Sequence, residues 1–187
     1  MKKQLIIVGI IVILCLSLAG CQEESSNNDN DNQSNYSSYD NSELGIEIEY
    51  PSTWNKYENP PEVPGVTVLF SSPSNEVIKT GSLTITVIDN ANLSMEEFKE
   101  AHIENLSLLM PDYELVFEES NTLSGLEGYK IIFTFTNDIY NWRQLEVWTI
   151  SENTLYLLVH QADQAYYETF EDDIDYMIES FKIADTA

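Results

Sequence analysis

The chain has 187 residues, of which 32 are acidic and eight are basic, so its formal net charge at pH 7 is −24. So acidic a surface repels the phosphates of nucleic acids and anionic lipid headgroups, which excludes nucleic acid as a partner. Cations and basic protein surfaces are the partners that this charge favours, although a need for solubility alone would also account for it.

The first 20 residues have the features of a secretory signal peptide. Two lysines precede an apolar run, 5–19, that is shorter than the roughly 20 residues a helix needs to cross a bilayer core. The run ends in Leu-Ala-Gly-Cys at 18–21, which resembles the lipobox of lipoprotein signal peptides. Cleavage would leave Cys21 at the N-terminus with two acyl chains, since one chain holds a protein on a membrane only marginally. Ordinary secretion and an uncleaved anchor are the alternatives.

The next segment predicts a tether. Cys15 would leave with the signal peptide, so the mature chain would keep only Cys21 and could form no disulfide or thiol metal centre. Residues 22–42 contain no aliphatic side chain and cannot bury enough apolar surface to offset their ordering entropy. We therefore expect a signal peptide over 1–20, a lipidated cysteine with a disordered Asn/Ser/Asp-rich tether over 21–42, and one folded domain over 43–187.

The domain begins with three predicted strands. Residues 45–51 alternate apolar and acidic side chains, which is the period of a half-buried strand. Residues 66–73 and 82–89 are two further β-rich runs separated by turn residues. Residues 92–111 then change to helical period, with a capping box of Ser94 and Glu97 at the start of the helix. The apolar face of this helix carries Met95, Phe98, His102, Leu106 and Leu109.

The second half of the domain predicts a sheet and a final helix. Strands are expected over 113–120, 129–136, 140–150 and 154–161, and their short connections favour antiparallel pairing. Residues 163–183 carry an apolar stripe opposite an acidic one, as in an amphipathic helix. The sequence thus predicts an α+β fold, with a central antiparallel β-sheet flanked by helices in an α-β-α sandwich.

Few residues point to catalysis. His102 lies on a helix face and His160 near a strand end, where histidines more often pack than catalyse. The chain has no nucleophile elbow, no HExxH motif and no phosphate-binding glycine loop. The acidic run 171–175 would spread its carboxylates around a helix, so we expect no cofactor beyond a weak surface divalent cation. We predict that the protein is not an enzyme.

Two adjacent residues are candidates for contact with a partner. Trp142 and Trp148 lie six residues apart on one predicted strand and so point to the same side. Core packing is the ordinary role of each, but Trp142, near the hairpin end, would contact a partner if it were exposed. Arg143, the single arginine of the chain, would contact the partner or neutralise nearby carboxylates.

Three segments resemble the PsbP-like family, whose fold is also that of a Ran-binding factor. They are "ELGIEIEYPSTWNKYE" at 43–58, "LSGLEGYKIIFTFT" at 123–136, and the ending at 153–183. The resemblance implies an antiparallel sheet between helices and an extrinsic, non-catalytic mode of action. Its best-known members are extrinsic photosystem II subunits that help retain calcium and chloride, and others are exported prokaryotic lipoproteins. This chain lacks a basic docking arm, so neither the oxygen-evolving role nor a metal ligand is transferred to it.

The leading hypothesis is a lipoprotein on the outer face of the cytoplasmic membrane, anchored through the lipid on Cys21. Its domain would act as a binding or assembly module for a membrane protein complex. The alternative is a lipoprotein that binds a ligand or a divalent cation such as calcium, and an extracytoplasmic enzyme comes third. A deep polar pocket would favour the last two, whereas an apolar patch rimmed by acidic residues would favour the first.

Overall fold

The computed structural model describes residues 35–74, 76–137 and 139–184. The signal peptide, Cys21 and most of the predicted tether therefore lie outside the described residues. Within them the structure has ten strands and two α-helices. In chain order these are β1 (Tyr36–Asn41), β2 (Ile46–Pro51), β3 (Asn55–Glu58), β4 (Val68–Ser71), β5 (Ser82–Ile88), α1 (Met95–Leu109), β6 (Glu114–Leu123), β7 (Leu126–Asn137), β8 (Tyr140–Ser151), β9 (Thr154–Asp163), α2 (Glu171–Ser180) and β10 (Lys182–Ile183).

Seven strands form one antiparallel sheet in the order β3-β4-β5-β9-β8-β7-β6. The predicted antiparallel sheet is thus confirmed. The predicted sandwich of helices needs a correction, because helix α1 covers one face but α2 shares the other face with a small sheet, β1-β2-β10. Strand β10 is too short to be recognised in the sequence, and it joins β2 from 135 residues away, with Lys182 opposite Glu47.

Helix α1 begins with the predicted capping box. The Ser94 hydroxyl accepts a hydrogen bond from the Glu97 backbone N–H at 3.3 Å, and the Glu97 carboxylate accepts one from the Ser94 N–H at 2.9 Å. These bonds satisfy two amides that the first helical turn leaves without partners. Side chains of α1 and its C-cap meet alternate side chains of the sheet in the α1-side core: Phe98, Leu106, Met110, Ile131, Phe133, Phe135, Trp142, Trp148, Leu155, Leu157 and Val159.

The opposite face of the sheet carries the larger α2-side core. Ile174, Met177 and Phe181, from the predicted apolar stripe, are each at most 1% exposed. They pack against Ile46 and Ile48 of the small sheet and against those side chains of the large sheet that point away from α1. A short 3₁₀ turn, Tyr167–Phe170, precedes α2, so the α-helix is shorter than the 163–183 segment that the sequence predicted.

Strand β1 corrects the predicted boundary of the domain at residue 43. The range 22–42 was expected to be disordered, yet residues 36–41 pair with β2 along their whole length. Tyr39 is 4% exposed and packs edge-on against Phe70, with 6.0 Å between ring centroids. The absence of aliphatic residues misled the prediction, because a tyrosine ring buries as much apolar surface as an aliphatic side chain. The tether expectation for residues 22–34 stays a prediction.

Removing β1 should destabilise the domain. A chain that starts at residue 43 loses Tyr39 and uncovers one edge of β2, so its free energy of unfolding should fall by about 3 kcal/mol or more relative to a chain that starts at residue 35. Chemical denaturation of the two proteins measures this difference. A chain that starts at residue 22 is the control and should match the one from residue 35. Equal stability of all three would show that β1 adds nothing to the core.

His160 is buried inside the α2-side core, a position that agrees with a packing role rather than a catalytic one. Its Nδ1 donates a hydrogen bond to the Ser82 carbonyl oxygen at 2.8 Å, and its ring lies 4.8 Å from that of Tyr167. Burial lowers the pKa of His160 from 6.5 to about 4, and the backbone hydrogen bond only partly opposes this shift. The side chain is therefore neutral in the folded protein at neutral pH.

Because of the buried histidine, the stability of the domain should decrease as the pH is lowered. Between pH 6.5 and 4 the unfolded chain protonates His160 while the folded chain does not, so the free energy of unfolding should fall by about 3 kcal/mol across this window. Urea titrations at several pH values measure the slope, which is compared with that of His160→Gln. The variant should lose this part of the slope, whatever its absolute stability. An unchanged slope in the variant would contradict the assignment.

Candidate functional site

Exposed apolar side chains are concentrated at one place on the domain. Within the described ranges nine large apolar residues are exposed, and Ile139 at 84% and Leu108 at 72% are the most exposed of them. Six of the nine come from the end of α1, the start of β6 and the β7–β8 turn. We call these six the apolar edge: Leu108, Leu109, Leu115, Val116, Phe117 and Ile139.

Backbone contacts bring the three segments of the apolar edge to one corner of the sheet. The turn after α1 is fixed to β7, because the Thr136 N–H donates to the Pro111 carbonyl oxygen at 2.9 Å. The Thr136 hydroxyl also donates to the Asp112 carboxylate at 2.7 Å. Ile139 follows Thr136 by three residues, and Leu115 pairs with Phe133, three residues before it. The corner is therefore held by hydrogen bonds rather than by burial of its apolar side chains.

Strand β6 is the last strand of the large sheet, and its outer side has no strand partner among the described residues. The pairing register shifts between Leu115, which lies opposite Phe133, and Phe117, which lies opposite Ile132. Since their partners are consecutive in β7, Leu115 and Phe117 point to opposite faces, with Val116 in the bulge between them. The apolar edge thus wraps around the sheet margin. Exposed carboxylates surround it: Glu104, Asp112, Glu114, Glu118 and Glu119.

The two predicted contact residues do not form this surface. Trp142 is 6% exposed and belongs to the α1-side core, so the exposure that a contact role required is not found. The Arg143 guanidinium lies over the Tyr167 ring, 4.5 Å from its centroid. None of the ion pairs in the described part of the chain includes Arg143, so the expected neutralisation of carboxylates is not seen. Cys21 lies outside the described residues.

The sequence contains an indication of the apolar edge, namely consecutive apolar residues, which periodicity alone does not reveal. Leu108 and Leu109 are adjacent on a helix and so lie about 100° apart, and Leu109 was expected on the buried face but is 54% exposed. Residues 115–117 are three consecutive apolar residues in a strand, so they cannot all face one side. When apolar residues are consecutive at the end of a helix or strand, at least one of them points away from the buried face. Whether that side chain is exposed depends on which helix or strand lies beside it, and the sequence alone does not show this.

The structure also contains a polar cleft beside α2, with a volume of about 600 Å³. The β6–β7 hairpin forms one wall and α2 the other. Two lysines and two carboxylates line it: Lys130, Lys182, Asp175 and Glu179. Lys182 pairs with Glu47 at 3.7 Å, whereas the other three make no ion pair within 4 Å in the ranges that the structure covers. The cleft therefore presents charges of both signs to solvent.

A buried polar cluster joins α1 to the sheet. His102 Nε2 lies 2.5 Å from Glu146 Oε2, and the Gln144 amide donates to Glu146 Oε1 at 2.7 Å. Glu146 is 2% exposed. Burial of Tyr113 raises the pKa of its hydroxyl to about 12, and the nearby Glu146 carboxylate adds to this shift. The His102 ring is stacked on Phe98 at 4.9 Å. Both carboxylate oxygens are thus engaged, and the cluster acts as a polar contact between helix and sheet.

The described residues lack two features that would point to a metal or to a membrane. No three His, Cys, Asp or Glu side chains among them are grouped closely enough to hold a metal ion. This covers the run 171–175, where Asp173 instead accepts a hydrogen bond from the Tyr36 hydroxyl at 3.2 Å. No helix in the same ranges has the length and apolar character needed to cross a membrane.

Solved structures with this architecture are similar to the chain in fold. Cyanobacterial PsbP (CyanoP) from Synechocystis sp. PCC 6803 superposes with a TM-score of 0.62 and 15% identity, over 84% of this chain and 98% of that one. LpqN of Mycobacterium tuberculosis, involved in cell envelope biogenesis, gives 0.56 and 13%, over 82% and 87%. PA94 from Pseudomonas aeruginosa, a protein of unknown function, gives 0.53 and 12%, over 76% and 92%.

Among curated proteins, no sequence matches this chain significantly. The PsbP family profile, by contrast, matches residues 34–183, which is most of the chain. Its start agrees with the structural boundary just before β1 rather than with the boundary at residue 43. On this match and the shared fold, the chain belongs to the PsbP family.

Proposed function

We propose that this PsbP-family protein is a lipoprotein on the outer face of the cytoplasmic membrane, anchored through a lipid on Cys21. Its domain acts without catalysis, as a binding or assembly module for a membrane protein complex. The observation that carries this proposal is the apolar edge with its surrounding carboxylates. This is the arrangement that favours a docking module over a ligand pocket or an enzyme.

The exposure of the apolar edge has no structural explanation within the domain. Burying Ile139 or Leu108 against a partner would remove apolar surface from water, at about 25 cal/mol for each Å². Phe117 adds an aromatic ring, one of the side-chain types enriched at the centres of protein interfaces. The hydrogen bonds around Thr136 hold this corner without a partner, so binding would require little ordering of the backbone.

The carboxylates around the apolar edge indicate the charge of the partner. Glu114 and Glu119 are exposed and make no ion pair within 4 Å in the described part of the chain. A partner with basic residues around an apolar centre would complement them and would be attracted at long range by the negative charge of the whole protein. LpqN, which shares the fold, is described as involved in cell envelope biogenesis, and an extracytoplasmic location agrees with that.

The polar cleft favours a second candidate function, a lipoprotein that binds a small ligand. Lys130, Asp175 and Glu179 are charged and make no ion pair within 4 Å with any described residue, so a ligand could bind through both signs of charge. The cleft is less suited to calcium, because two positively charged lysines line it together with the carboxylates. The cleft contains none of the residues of the apolar edge, so variants of the apolar edge separate the two functions.

Replacing Cys21 by serine should release the protein from membranes. Serine has no thiol to receive the lipid, so the Cys21→Ser protein should move from the sedimenting membrane fraction to the soluble extracytoplasmic fraction. Fractionation and immunoblotting of cells measure the distribution. Cys15→Ser is the matched control, because it makes the same change six residues earlier and should leave the protein on the membrane. A Cys21→Ser protein with a cleaved signal peptide that still sediments with membranes would refute the anchor.

Polar substitutions at the apolar edge should reduce partner capture without unfolding the domain. In native membranes, cross-linking of the Leu108→Ser, Ile139→Ser double variant should give at least fivefold less of the partner band seen with the original protein. Both side chains are exposed, so stability should change by no more than about 0.5 kcal/mol for each.

The matched control for that experiment is Tyr57→Ser with Val77→Ser. These residues have 38% and 36% exposure but lie outside the apolar edge. The control should keep the partner band. Equal loss in both double variants would show that general hydrophobicity, rather than this surface, causes the capture. If neither double variant loses the partner band, the docking function loses its support, and ligand binding in the cleft becomes the better supported function.

A further inference from the structure

We infer that the partner binds by adding a strand to the outer side of β6, which has no strand partner among the described residues, and that the added segment carries two adjacent apolar side chains next to two adjacent basic ones. This inference rests on the proposed docking function and specifies its mode. It follows from the position of β6 in the sheet, from the bulge at Val116, and from the charges on both faces of the strand.

Strand β6 has the properties of an edge that can accept another strand. It is ten residues long, Glu114–Leu123, and nearly all of its residues are exposed. It contains neither lysine nor proline, two residues with which edge strands commonly prevent such pairing. Every second residue of an antiparallel strand directs both its N–H and its C=O away from the paired neighbour. The outer side of β6 therefore offers a row of hydrogen-bonding groups.

The bulge explains why a strand fits better than a helix or a flat surface. Leu115 points to the α1 face of the sheet and Phe117 to the α2 face, so a partner docked on one face would leave one of them in water. A strand aligned along β6 has alternating side chains and reaches both faces at once. Its apolar residues could lie beside Leu115 on one face and Phe117 on the other.

The charges beyond the bulge determine the sign of the partner. Glu118 lies opposite Ile131 on the α1 face, and Glu119 lies opposite Lys130 on the α2 face. The strand thus presents a carboxylate on each face, directly after its apolar section. Cross-strand pairs of opposite charge are stabilising, whereas like charges opposite one another are destabilising. A second copy of this chain would place acidic residues against acidic residues, so the geometry points to a basic segment of a different protein.

The test uses the full-length protein in detergent and the fluorescent peptide Thr-Thr-Lys-Lys-Ile-Val-Thr-Thr. Added antiparallel to β6, this peptide places its two lysines beside Glu119 and Glu118 and its two apolar residues beside Phe117 and Leu115. Fluorescence anisotropy should show saturable binding, and hydrogen exchange should show protection of the β6 amides. A peptide with glutamate in place of lysine should bind at least tenfold more weakly. Absence of binding, or protection elsewhere on the domain, would overturn the inference.

Proline variants separate strand addition from simple charge attraction, because they leave the net charge unchanged. Ser120 and Asn121 are consecutive, so one of them directs its N–H towards β7 and the other outward. Of Ser120→Pro and Asn121→Pro, the variant that keeps the original melting temperature is the outward one. That variant should lose at least tenfold in peptide affinity, whereas alanine at the same position should change affinity less than twofold. Equal affinity of the proline and alanine variants would overturn the inference.

The outcome can also be separated from that of the proposed function. If the outward proline variant still captures the partner band in membranes while the Leu108→Ser, Ile139→Ser variant does not, docking at the apolar edge stands and strand addition is wrong. If neither variant loses the band, both are wrong.

Discussion

The two-sided burial of β8 and β9 is the constraint on which the rest of the structure depends. Alternate side chains of β8 enter different cores, with Leu145 and Val147 on the α2 side and Trp142 and Trp148 on the α1 side. In β9 eight of ten residues are buried. Neither core could form without the other, because the same backbone ladder supports both. The helices and the small sheet are therefore coverings of these strands, and what they leave uncovered is available for binding.

The position of α1 depends on a buried carboxylate. Glu146 lies on β8 between apolar neighbours, and a charge left there without partners would be strongly destabilising. His102 and Gln144 engage both of its oxygens, and His102 thereby fixes one level of α1 above the sheet. The helix continues for two turns beyond that contact, and Leu106 and Met110 still pack into the α1-side core there. Leu108 and Leu109 lie between these two residues but are exposed, so they are on the side of α1 that faces away from the sheet.

The sequence predicted local features well and nonlocal ones poorly. The Ser94–Glu97 capping box and the antiparallel strand series depend on neighbouring residues, and both were found. The resemblance to the family held as well, and its Gly-Tyr segment has a physical reason: a Cβ on Gly128 would lie 2.7 Å from the Trp148 carbonyl oxygen. Strand β1 and the apolar edge escaped prediction, because each depends on which distant segment lies beside it. Periodicity shows that a residue is apolar, but not whether anything covers it.

The pairing of β1 with β2 has a mechanical consequence. Any tension that reaches the domain from the preceding chain enters at Asn35, whose carbonyl oxygen accepts a hydrogen bond from the Ser52 N–H, and then loads the six pairs of β1. These pairs lie outside the seven-stranded sheet, so β1 could detach while the ladder of that sheet stayed closed. Detachment would release six residues, about 20 Å of extended chain. If β6 docks to a membrane partner as proposed, β1 would act as a yielding link that limits the force transmitted from the preceding chain to β6.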